Sequence, residues 1–380
     1  MSTTGKWITG LIALVIVITL VTVFGRGENG GEMADEGPIR IGYMAPMSGD
    51  LGNVGLNARA AVELAVEEVN AAGGIDGRSL EVVYEDDKCS GPTAVSIANK
   101  LVSTDKVVAV AGPLCSPAVL SAAPVFEAAR IPALSFCATA PKVSDAGDYI
   151  FRNVPSDNFQ AKFAAEYIYN KMGKKKAAVM AVNNDWGLGV SGAFKDAFAI
   201  LGGEIVFSET YASDTRDLRS QLSKVKATDA DVLYFAGFPD GSTIAIKQMQ
   251  ELGLSLPTFG ADAWDDTKIW ADVGPAGEGM MFTAAATNAT EEFKAGMLAK
   301  TGGDEIIYCS NYAYDGVKML AQIMNEVGAD PEMIKSRLYT IRHEGEVSQP
   351  ITEFDVNGDP KASVYALKVV RDGKPEVMGE

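Results

Sequence analysis

The segment VVAVAGPLCSPAVLSAAPVFEAA, residues 107–129, leads from an apolar run into an alanine-rich stretch through a short turn. The β-branched run predicts a buried strand, and the stretch after Ser116 predicts a helix. Ser116 therefore stands where a strand ends and a helix begins. Two roles are open for its hydroxyl: serine is a preferred helix N-cap, and a hydroxyl beside the free amide groups of a helix start forms a seat for a small anion.

The same alternation of strand and helix runs along the chain from residue 39. IRIGYM (39–44) precedes the amphipathic stretch ARAAVELAVEEVNAAGG (58–74), and a second series of the same kind begins near residue 156. Such alternation predicts parallel strands joined by crossover helices. The predicted fold class is therefore α/β, with two doubly wound, Rossmann-like lobes. Near the C-terminus, Asn357-Gly358 predicts a hairpin turn between two strands.

Length and charge narrow the functional classes. With 380 residues, 47% of them hydrophobic, the chain can bury a large core, and two lobes are expected rather than one. A net charge of -17 argues against a nucleic-acid partner, which requires a basic face. His343 is the only histidine, which argues against histidine triads and multi-histidine metal sites. No cofactor and no metal ion is expected.

The N-terminus differs from the rest of the chain. Ile8 to Phe24 carries no charge and has about the length of a membrane-crossing helix. An uncleaved anchor within residues 1–25 is favoured, and a signal segment removed after Gly25 is the alternative. Residues 26–37 then form a flexible acidic tether. Either reading predicts export, to the outer face of the cytoplasmic membrane or to the periplasm.

The segments that follow the predicted strands are the places to look for a ligand site, because ligands of parallel α/β sheets bind beyond the carboxyl ends of the strands. These segments are APMSGDLGNVG (45–55), GPLCSPAV (112–119), CATAPKVS (137–144), NNDWGLG (183–189), GFPDG (237–241) and GADAWDD (260–266). Their hydroxyls, acids and aromatic residues indicate a small polar ligand with an apolar part. Glycine and serine in such loops also serve turn formation alone.

One motif points to a different class of protein. Gly187–Gly192 fits the G-x-G-x-x-G fingerprint of dinucleotide-binding enzymes, with Glu204 and Glu209 as candidate ribose contacts. However, residues 183–186 separate these glycines from the strand, whereas the fingerprint needs them in the tight turn itself. An exported protein would also rarely meet a nicotinamide cofactor. We therefore expect a protein that is not an enzyme.

From Ile39 to its end, the chain resembles the solute-binding proteins of branched-chain amino-acid ABC transporters, in the type I periplasmic-binding-protein family. The matching segments are IGYMAPMSGDLGNVG, ELAVEEVNAAGGIDGRSLEVVYEDDKCSGPTAVSIANKLV, GPLCS, ATAP, NDWGLG and GADAW. The resemblance implies two lobes joined by three hinge crossings that close over a ligand, with a membrane permease as partner. We expect a monomer whose lobes comprise residues 38–156 with 286–345 and residues 157–285 with 346–380.

The resemblance also implies which residues hold the ligand's polar end. Ser116 binds the α-carboxylate, Thr139 touches both carboxylate and ammonium, and the backbone carbonyl of Cys137 accepts from the ammonium. Asp262, from the second lobe, pairs with the same ammonium. These roles agree chemically, because a zwitterion needs donors at one end and acceptors at the other. They favour a binding role for Ser116, which can cap its helix as well.

The ligand's side chain has a predicted apolar wall. The family pattern places around it Leu114, Trp186, Phe238 and Ile307, with Val54 where an aromatic residue is common. Trp186 and Phe238 have the alternative role of ordinary packing residues at the lobe rim.

The predicted function is that of the extracytoplasmic binding component of an ABC importer for a branched-chain or similar aliphatic amino acid. Relatives of this family also take aliphatic amides, urea and aromatic acids. Asp262 favours an amino acid, because a neutral amide would leave a buried carboxylate without a cation. An anchored sensory receptor is a further alternative. Neighbouring permease and ATPase genes would favour transport, and a neighbouring kinase gene would favour sensing.

The cysteines add a prediction about covalent links. Cys89, Cys115 and Cys137 all follow predicted strands at one edge of the first lobe, so their spacing permits more than one pair. The resemblance selects Cys89 with Cys115, and an oxidising compartment allows the bond. Cys137 and Cys309 are expected to be free.

Overall fold

The computed structural model describes residues 37–303, 306–362 and 364–378. The predicted membrane anchor, residues 1–25, lies outside the described residues, as does the predicted tether except for Gly37. Within the described ranges, no helix is both long enough and apolar enough to cross a membrane.

Strands and helices alternate along the described chain as predicted. The strands are β1 (Ile39–Ala45), β2 (Leu80–Asp86), β3 (Ala109–Ala111), β4 (Ala133–Ser135), β5 (Ile150–Arg152), β6 (Lys176–Val182), β7 (Glu204–Tyr211), β8 (Val232–Ala236), β9 (Thr258–Gly260), β10 (Met281–Ala285), β11 (Tyr365–Arg371) and β12 (Lys374–Val377). The helices are α1 (Gly52–Ala71), α2 (Gly91–Lys100), α3 (Ser116–Ala129), α4 (Asp157–Glu166), α5 (Asp185–Ile200), α6 (Arg219–Lys226), α7 (Pro239–Glu251), α8 (Thr267–Val273), α9 (Glu291–Thr301), α10 (Ser310–Val327) and α11 (Pro331–Leu338).

The strands form two sheets. The first has the order β2-β1-β3-β4-β5, with every pair parallel. The second has the order β12-β11-β10-β9-β8-β6-β7, and is parallel except where β11 pairs with β10 and β12. In the first sheet the strand order reverses between β1 and β3, so the loops after these two strands flank a crevice, the usual ligand position in such sheets. The predicted α/β class with two doubly wound lobes is confirmed.

Each sheet has its own hydrophobic core. The first core contains Ile41, Val110 and Phe126, and helix α10 contributes Leu320. The second core contains Val179, Phe235 and Trp264. Apolar residues bury on both faces of each sheet because crossover helices cover them, which is why the strands read as nearly continuous apolar runs. The exact lobe boundaries stay a prediction. Val347 and Phe354, from the last predicted segment, pack in the first core.

The chain reverses at Asn357-Gly358, but the two predicted strands do not form there. A single antiparallel bridge joins Phe354 to Pro360. The turn instead binds β5, where the Arg152 N–H donates to the Gly358 carbonyl at 3.0 Å. Because these backbone groups pair with β5, they are not free to extend a hairpin ladder. The C-terminal hairpin is formed by β11 and β12.

Candidate ligand-binding site

A small cavity lies where loops from the two sheets meet. We call it the cleft cavity; its lining comprises Leu51, Leu114, Cys115, Ser116, Cys137, Trp186, Phe238, Asp262, Ala263 and Tyr308. Its volume is about 20 Å³, which is room for about one water molecule. An amino acid does not fit in this conformation. Binding therefore requires the lobes or the lining side chains to move apart.

Six residues predicted for the site line the cleft cavity: Leu114, Ser116, Cys137, Trp186, Phe238 and Asp262. The other three lie elsewhere. Val54 is buried inside α1, and Thr139 is buried in the loop after β4. Ile307 lines a larger neighbouring cavity of about 330 Å³, which shares Asp262 and Tyr308 with the cleft cavity. Sequence reasoning did not name Leu51, which lies inside the singled-out segment 45–55, or Tyr308, which follows Ile307.

Ser116 does not cap its helix. Helix α3 begins at Ser116, its N-cap position is Cys115, and that cap makes no side-chain hydrogen bond. The Ser116 hydroxyl instead accepts from the Ala140 N–H at 3.2 Å. Because the first amide groups of a helix have no partner within it, the start of α3 presents backbone donors and a hydroxyl to the cleft cavity. Of the two roles left open for Ser116, the structure therefore does not show the capping role.

The loop after β4 leaves one donor and one acceptor free. The Ala138 N–H donates to the Ser135 hydroxyl at 3.1 Å, and the Thr139 carbonyl accepts from the Asp157 N–H at 2.8 Å. With the described residues, the Thr139 N–H and the Cys137 carbonyl make no hydrogen bond. Buried backbone groups are nearly always paired. These two are therefore available to a ligand, one to an anionic group and one to a cationic group.

Arg152 holds this loop from behind. Its side chain is fully buried and forms an ion pair with Asp359 at 2.7 Å. The same guanidinium donates to the carbonyls of Ala138 and Ala140 at 3.2 and 2.9 Å, and to the Ser144 hydroxyl at 2.8 Å. A planar guanidinium with five donors suits such a site. Arg152 therefore connects the loop after β4 to the turn that contains Asp359.

Two buried acids interact at the site: Asp262 lines the cleft cavity, and Asp157 lies close enough to feel its charge. Asp157, the first residue of α4, is fully buried, and neither of its carboxylate oxygens has a hydrogen-bond partner. Asp262 is 8% exposed, and its Oδ1 also lacks a partner. The hydroxyl oxygen of Thr139, near Asp157, is also buried and unpartnered. Sequence reasoning missed Asp157, because an acid after Ser156 at a helix start looks like ordinary capping.

Burial shifts the acidity of both groups. Burial raises the pKa of Asp157 well above its usual value, and the charge of Asp262 raises it further, against smaller lowering effects of the Thr139 hydroxyl and the Arg152 charge. Burial raises the pKa of Asp262 to about 6, although the nearby Gln160 amide lowers it. Burial is the first cause of both raised pKa values, because it removes the charged form from water.

Two aromatic rings form the apolar side of the cleft cavity. Trp186 and Phe238 stack with their centroids 4.8 Å apart and their planes 11° apart. Trp186 belongs to the second core, whereas the half-buried Phe238 packs against both cores. Phe238 also stands directly before α7. The stack therefore spans the junction of the two sheets, where an apolar ligand group would lie.

Both cysteine pairs border the site. Cys89 and Cys115 form a disulfide with their Cα atoms 5.4 Å apart, the pair that the resemblance selected. Cys137 and Cys309 form a second disulfide, also with 5.4 Å between Cα atoms. The expectation that Cys137 and Cys309 are free was therefore wrong. These two residues are 172 positions apart, so only the tertiary fold brings them within disulfide reach.

The structure also bears on the glycine motif at residues 187–192 and on metal binding. Gly187 lies inside α5, and its N–H donates to the Asn184 side chain at 2.8 Å, so the glycines are not in the strand-to-helix turn that a dinucleotide site needs. Among the described residues, no group of three histidine, cysteine or acidic side chains is arranged to hold a metal ion.

Comparison with known proteins identifies the family. The model of the family described as periplasmic binding protein matches residues 38–374. The chain belongs to the periplasmic binding protein family. This periplasmic binding protein is 28% identical over 329 residues to the leucine-, isoleucine-, valine-, threonine- and alanine-binding protein of Pseudomonas aeruginosa, covering 85% of this chain and 87% of the relative.

Two solved structures extend the comparison. The branched-chain amino acid transporter substrate-binding protein LivJ from Streptococcus pneumoniae, in complex with isoleucine, has a TM-score of 0.81 at 28% identity, covering 90% of this chain and 99% of that chain. A solute-binding protein of an ABC transporter from R. palustris, in complex with benzoate, has a TM-score of 0.81 at 20% identity, covering 90% and 96%. The second likeness is one of fold alone.

These findings confirm the predicted family. This periplasmic binding protein is a substrate-binding protein of the branched-chain amino acid ABC-transporter type, and the expectation that it is not an enzyme is confirmed. Family membership places it among exported, periplasmic proteins.

Proposed function

We propose that this periplasmic binding protein binds a branched-chain or similar aliphatic α-amino acid in the cleft cavity and delivers it to the permease of an ABC importer. The observation that carries the proposal is the pair of buried acids, Asp157 and Asp262, which have unpartnered oxygens. A buried carboxylate without a cation is costly. A ligand's ammonium group supplies that cation, whereas an amide or urea does not.

The opposite end of the cavity supports the same ligand class. The start of α3 with the Ser116 hydroxyl, and the free Thr139 N–H, offer donors to an α-carboxylate. The Cys137 carbonyl offers an acceptor to the ammonium. The Trp186–Phe238 stack offers an apolar wall to the side chain. The LivJ relative in complex with isoleucine supports a ligand of this kind.

An aromatic carboxylic acid is the second candidate. A protonated Asp157 would donate to the ligand's carboxylate, and the Trp186–Phe238 stack would pack against an aromatic ring. This candidate lacks the cation that would pair with the two acids, so we rank it below the amino acid.

A thermal-shift screen of residues 36–380 tests the proposal. Ligands that bind the native state raise the melting temperature. Leucine, isoleucine and valine should raise it, whereas urea, aliphatic amides and benzoate should not. A shift with benzoate and none with any amino acid would overturn the proposal and favour the second candidate.

We further propose that the protein acts as a monomer at the outer face of the cytoplasmic membrane, held by residues 1–25. Tethering would raise its effective concentration near a permease. Fractionation of cells that express the full chain tests this: the protein should sediment with membranes. Mature protein in the soluble periplasmic fraction, with an N-terminus near residue 26, would show that the segment is a removed signal instead.

The division into lobes of 38–156 with 286–345 and of 157–285 with 346–380 also remains our proposal. The two separate hydrophobic cores support a division into two lobes, whereas Val347 and Phe354 pack in the first core rather than the second. Hinge motion between such lobes would open the cleft cavity. Small-angle X-ray scattering should give a smaller radius of gyration with ligand than without it.

A further inference from the structure

In the part of the chain that the structure describes, no cation forms an ion pair with Asp157 or Asp262. The nearest guanidinium, Arg152, binds Asp359 through two of its nitrogens and also donates to two backbone carbonyls. The nearby Lys368 pairs with Asp265 at 2.7 Å. Both cations are therefore committed to other partners.

The other groups that face the pair are neutral or acidic. They are Thr139, Gln160, Tyr234, Tyr308, Tyr365 and the paired Asp265. The charges of Asp157 and Asp262 raise the pKa of Tyr234 and Tyr365, after a larger effect of burial, so these phenols stay neutral. Among the described groups, the Arg152 charge lowers the pKa of Asp157 by less than burial and the charge of Asp262 raise it.

Two buried carboxylates that share a site cannot both ionise at ordinary pH. The one with the stronger burial holds its proton, and Asp157 is the more deeply buried. The raised pKa of Asp157, caused first by burial and then by the charge of Asp262, agrees with this assignment.

We propose that the ligand-free protein holds one proton on the Asp157–Asp262 pair and that the ammonium group of an arriving ligand displaces this proton into solvent. The charges balance. The pair with one proton carries one negative charge, and two ionised carboxylates with one ammonium also carry one. This inference rests on the proposed function, because it requires a ligand with an ammonium group.

Binding that releases a proton strengthens as pH rises. With one proton released, affinity should rise by about tenfold for each pH unit while the pair keeps its proton in the free protein. Asp50 contributes little to the proton release at pH 7.5. Burial raises its pKa only to about 6, so its carboxylate stays charged at that pH.

Calorimetry measures the released proton directly. L-leucine is titrated into the protein at pH 7.5 in phosphate and in Tris, two buffers that take up protons with different heats. The observed binding heats should differ by the difference in buffer heats multiplied by about one proton. Equal binding heats in the two buffers would overturn the proposal.

Asp157→Asn is the matched variant, since it keeps the shape and removes the ionisable group. In it the lone Asp262 should already be charged at pH 7.5, so the buffer dependence should disappear. Asp272→Asn, in the exposed part of α8, is the control and should keep the full buffer dependence. Proton release that persists in Asp157→Asn would place the proton on another group.

Infrared spectroscopy of the ligand-free protein tests the proposal without any ligand. The parent should show a protonated-carboxyl band at pH 7 that Asp157→Asn weakens and Asp272→Asn leaves unchanged; Asp87, whose pKa burial raises to about 7, contributes to the part that remains. Failure of leucine to bind would count against the proposed function alone. A band of equal intensity in the parent and in Asp157→Asn would count against the proton-holding pair alone.

Discussion

The carboxylate of Asp50 accepts a hydrogen bond from the backbone N–H of Asp240 at 2.8 Å, across 190 positions of sequence. Asp50 lies in the loop after β1 of the first sheet, and Asp240 lies in the first turn of α7, which follows β8 of the second sheet. The bond therefore joins the two sheets beside the cleft cavity. An anionic acceptor is favourable there, because helix N-termini present free amides and positive charge.

Replacing Asp50 should weaken ligand binding, because the bond forms only when the two loops meet. Asp50→Ala removes the acceptor and should lower leucine affinity by about fivefold, corresponding to about 1 kcal/mol for one net hydrogen bond. Asp50→Asn keeps an acceptor oxygen and should bind within about twofold of the parent, since it also avoids burying a charge. Calorimetry at pH 7.5 compares the leucine affinities of the two variants with that of the parent. Equal affinity for Asp50→Ala and the parent would show that the bond does not contribute to closure.

Asp262→Asn should weaken leucine binding strongly, through the loss of one charge. Losing one partner of a desolvated charge pair costs about 2 to 5 kcal/mol, so leucine affinity should fall by about 30-fold to several thousand-fold. Ser116→Ala should weaken binding too, without the stability loss of a missing cap, because Ser116 makes no capping bond. Leucine binding by Asp262→Asn at parental affinity would rule out an ammonium contact at this residue.

Titration of Asp262 should make the ligand-free stability of the parent depend on pH in the opposite way to a paired acid. The folded pKa of Asp262, about 6, lies above its usual 3.8 because of burial. Its ionisation therefore lowers the parent's stability as pH rises from about 4 to about 6, by at most about 3 kcal/mol. Urea unfolding at pH 4 and pH 7 should show a smaller pH effect in Asp262→Asn. An unchanged pH effect would place Asp262 in solvent.

The Trp186–Phe238 stack should set selectivity for aliphatic side chains. Leucine should bind more tightly than alanine by about 2 kcal/mol, or about 30-fold, at about 0.8 kcal/mol for each buried methylene. Glutamate and lysine should bind poorly, because the apolar wall offers no partner for their charge. Phe238→Ala should reduce the leucine–alanine ratio severalfold, whereas the exposed Phe159→Ala should not. A charged amino acid as the tightest ligand would contradict the predicted selectivity.

Both disulfides should be found by peptide mapping under non-reducing conditions. In the chain-entropy model, closing the 26-residue separation of Cys89 and Cys115 stabilises the fold by about 3.5 kcal/mol, and closing the 172-residue separation of Cys137 and Cys309 by about 5 kcal/mol. Replacing Cys137 and Cys309 together by serine should lower the free energy of unfolding by up to the second amount. A peptide that joins Cys115 to Cys137 would contradict both assignments.

Asp359→Asn should be strongly destabilising, because it leaves the fully buried Arg152 without its carboxylate. Breaking a buried ion pair by removing one partner costs about 3 to 5 kcal/mol. Chemical denaturation measures this loss, with the exposed Asp372→Asn as the control, which should stay near the parent. The loop that Arg152 holds should also loosen, so leucine affinity should fall. A free energy of unfolding that stays at the parental value would show that Arg152 is satisfied without Asp359.

Local pattern was enough to predict the strands, the helices and the segments that meet at the cleft. Apolar β-branched runs form buried strands wherever helices cover both faces of a sheet, and parallel order brings their carboxyl ends together. Leu114, Ser116, Trp186, Phe238 and Asp262 were therefore predictable as neighbours. The resemblance to known proteins added two further predictions, the Cys89–Cys115 disulfide and the family.

Only the tertiary structure decided which groups surround these side chains and which of them serve as partners. Capping was one of two roles open for Ser116, yet its hydroxyl accepts from Ala140, in a loop that follows another strand. Asp157, which the sequence analysis did not single out, is fully buried, and neither of its carboxylate oxygens has a hydrogen-bond partner. Cys137 pairs with a residue 172 positions away. Burial, pKa and covalent pairing depend on which distant groups surround a side chain, and local sequence carries no information about distances through space.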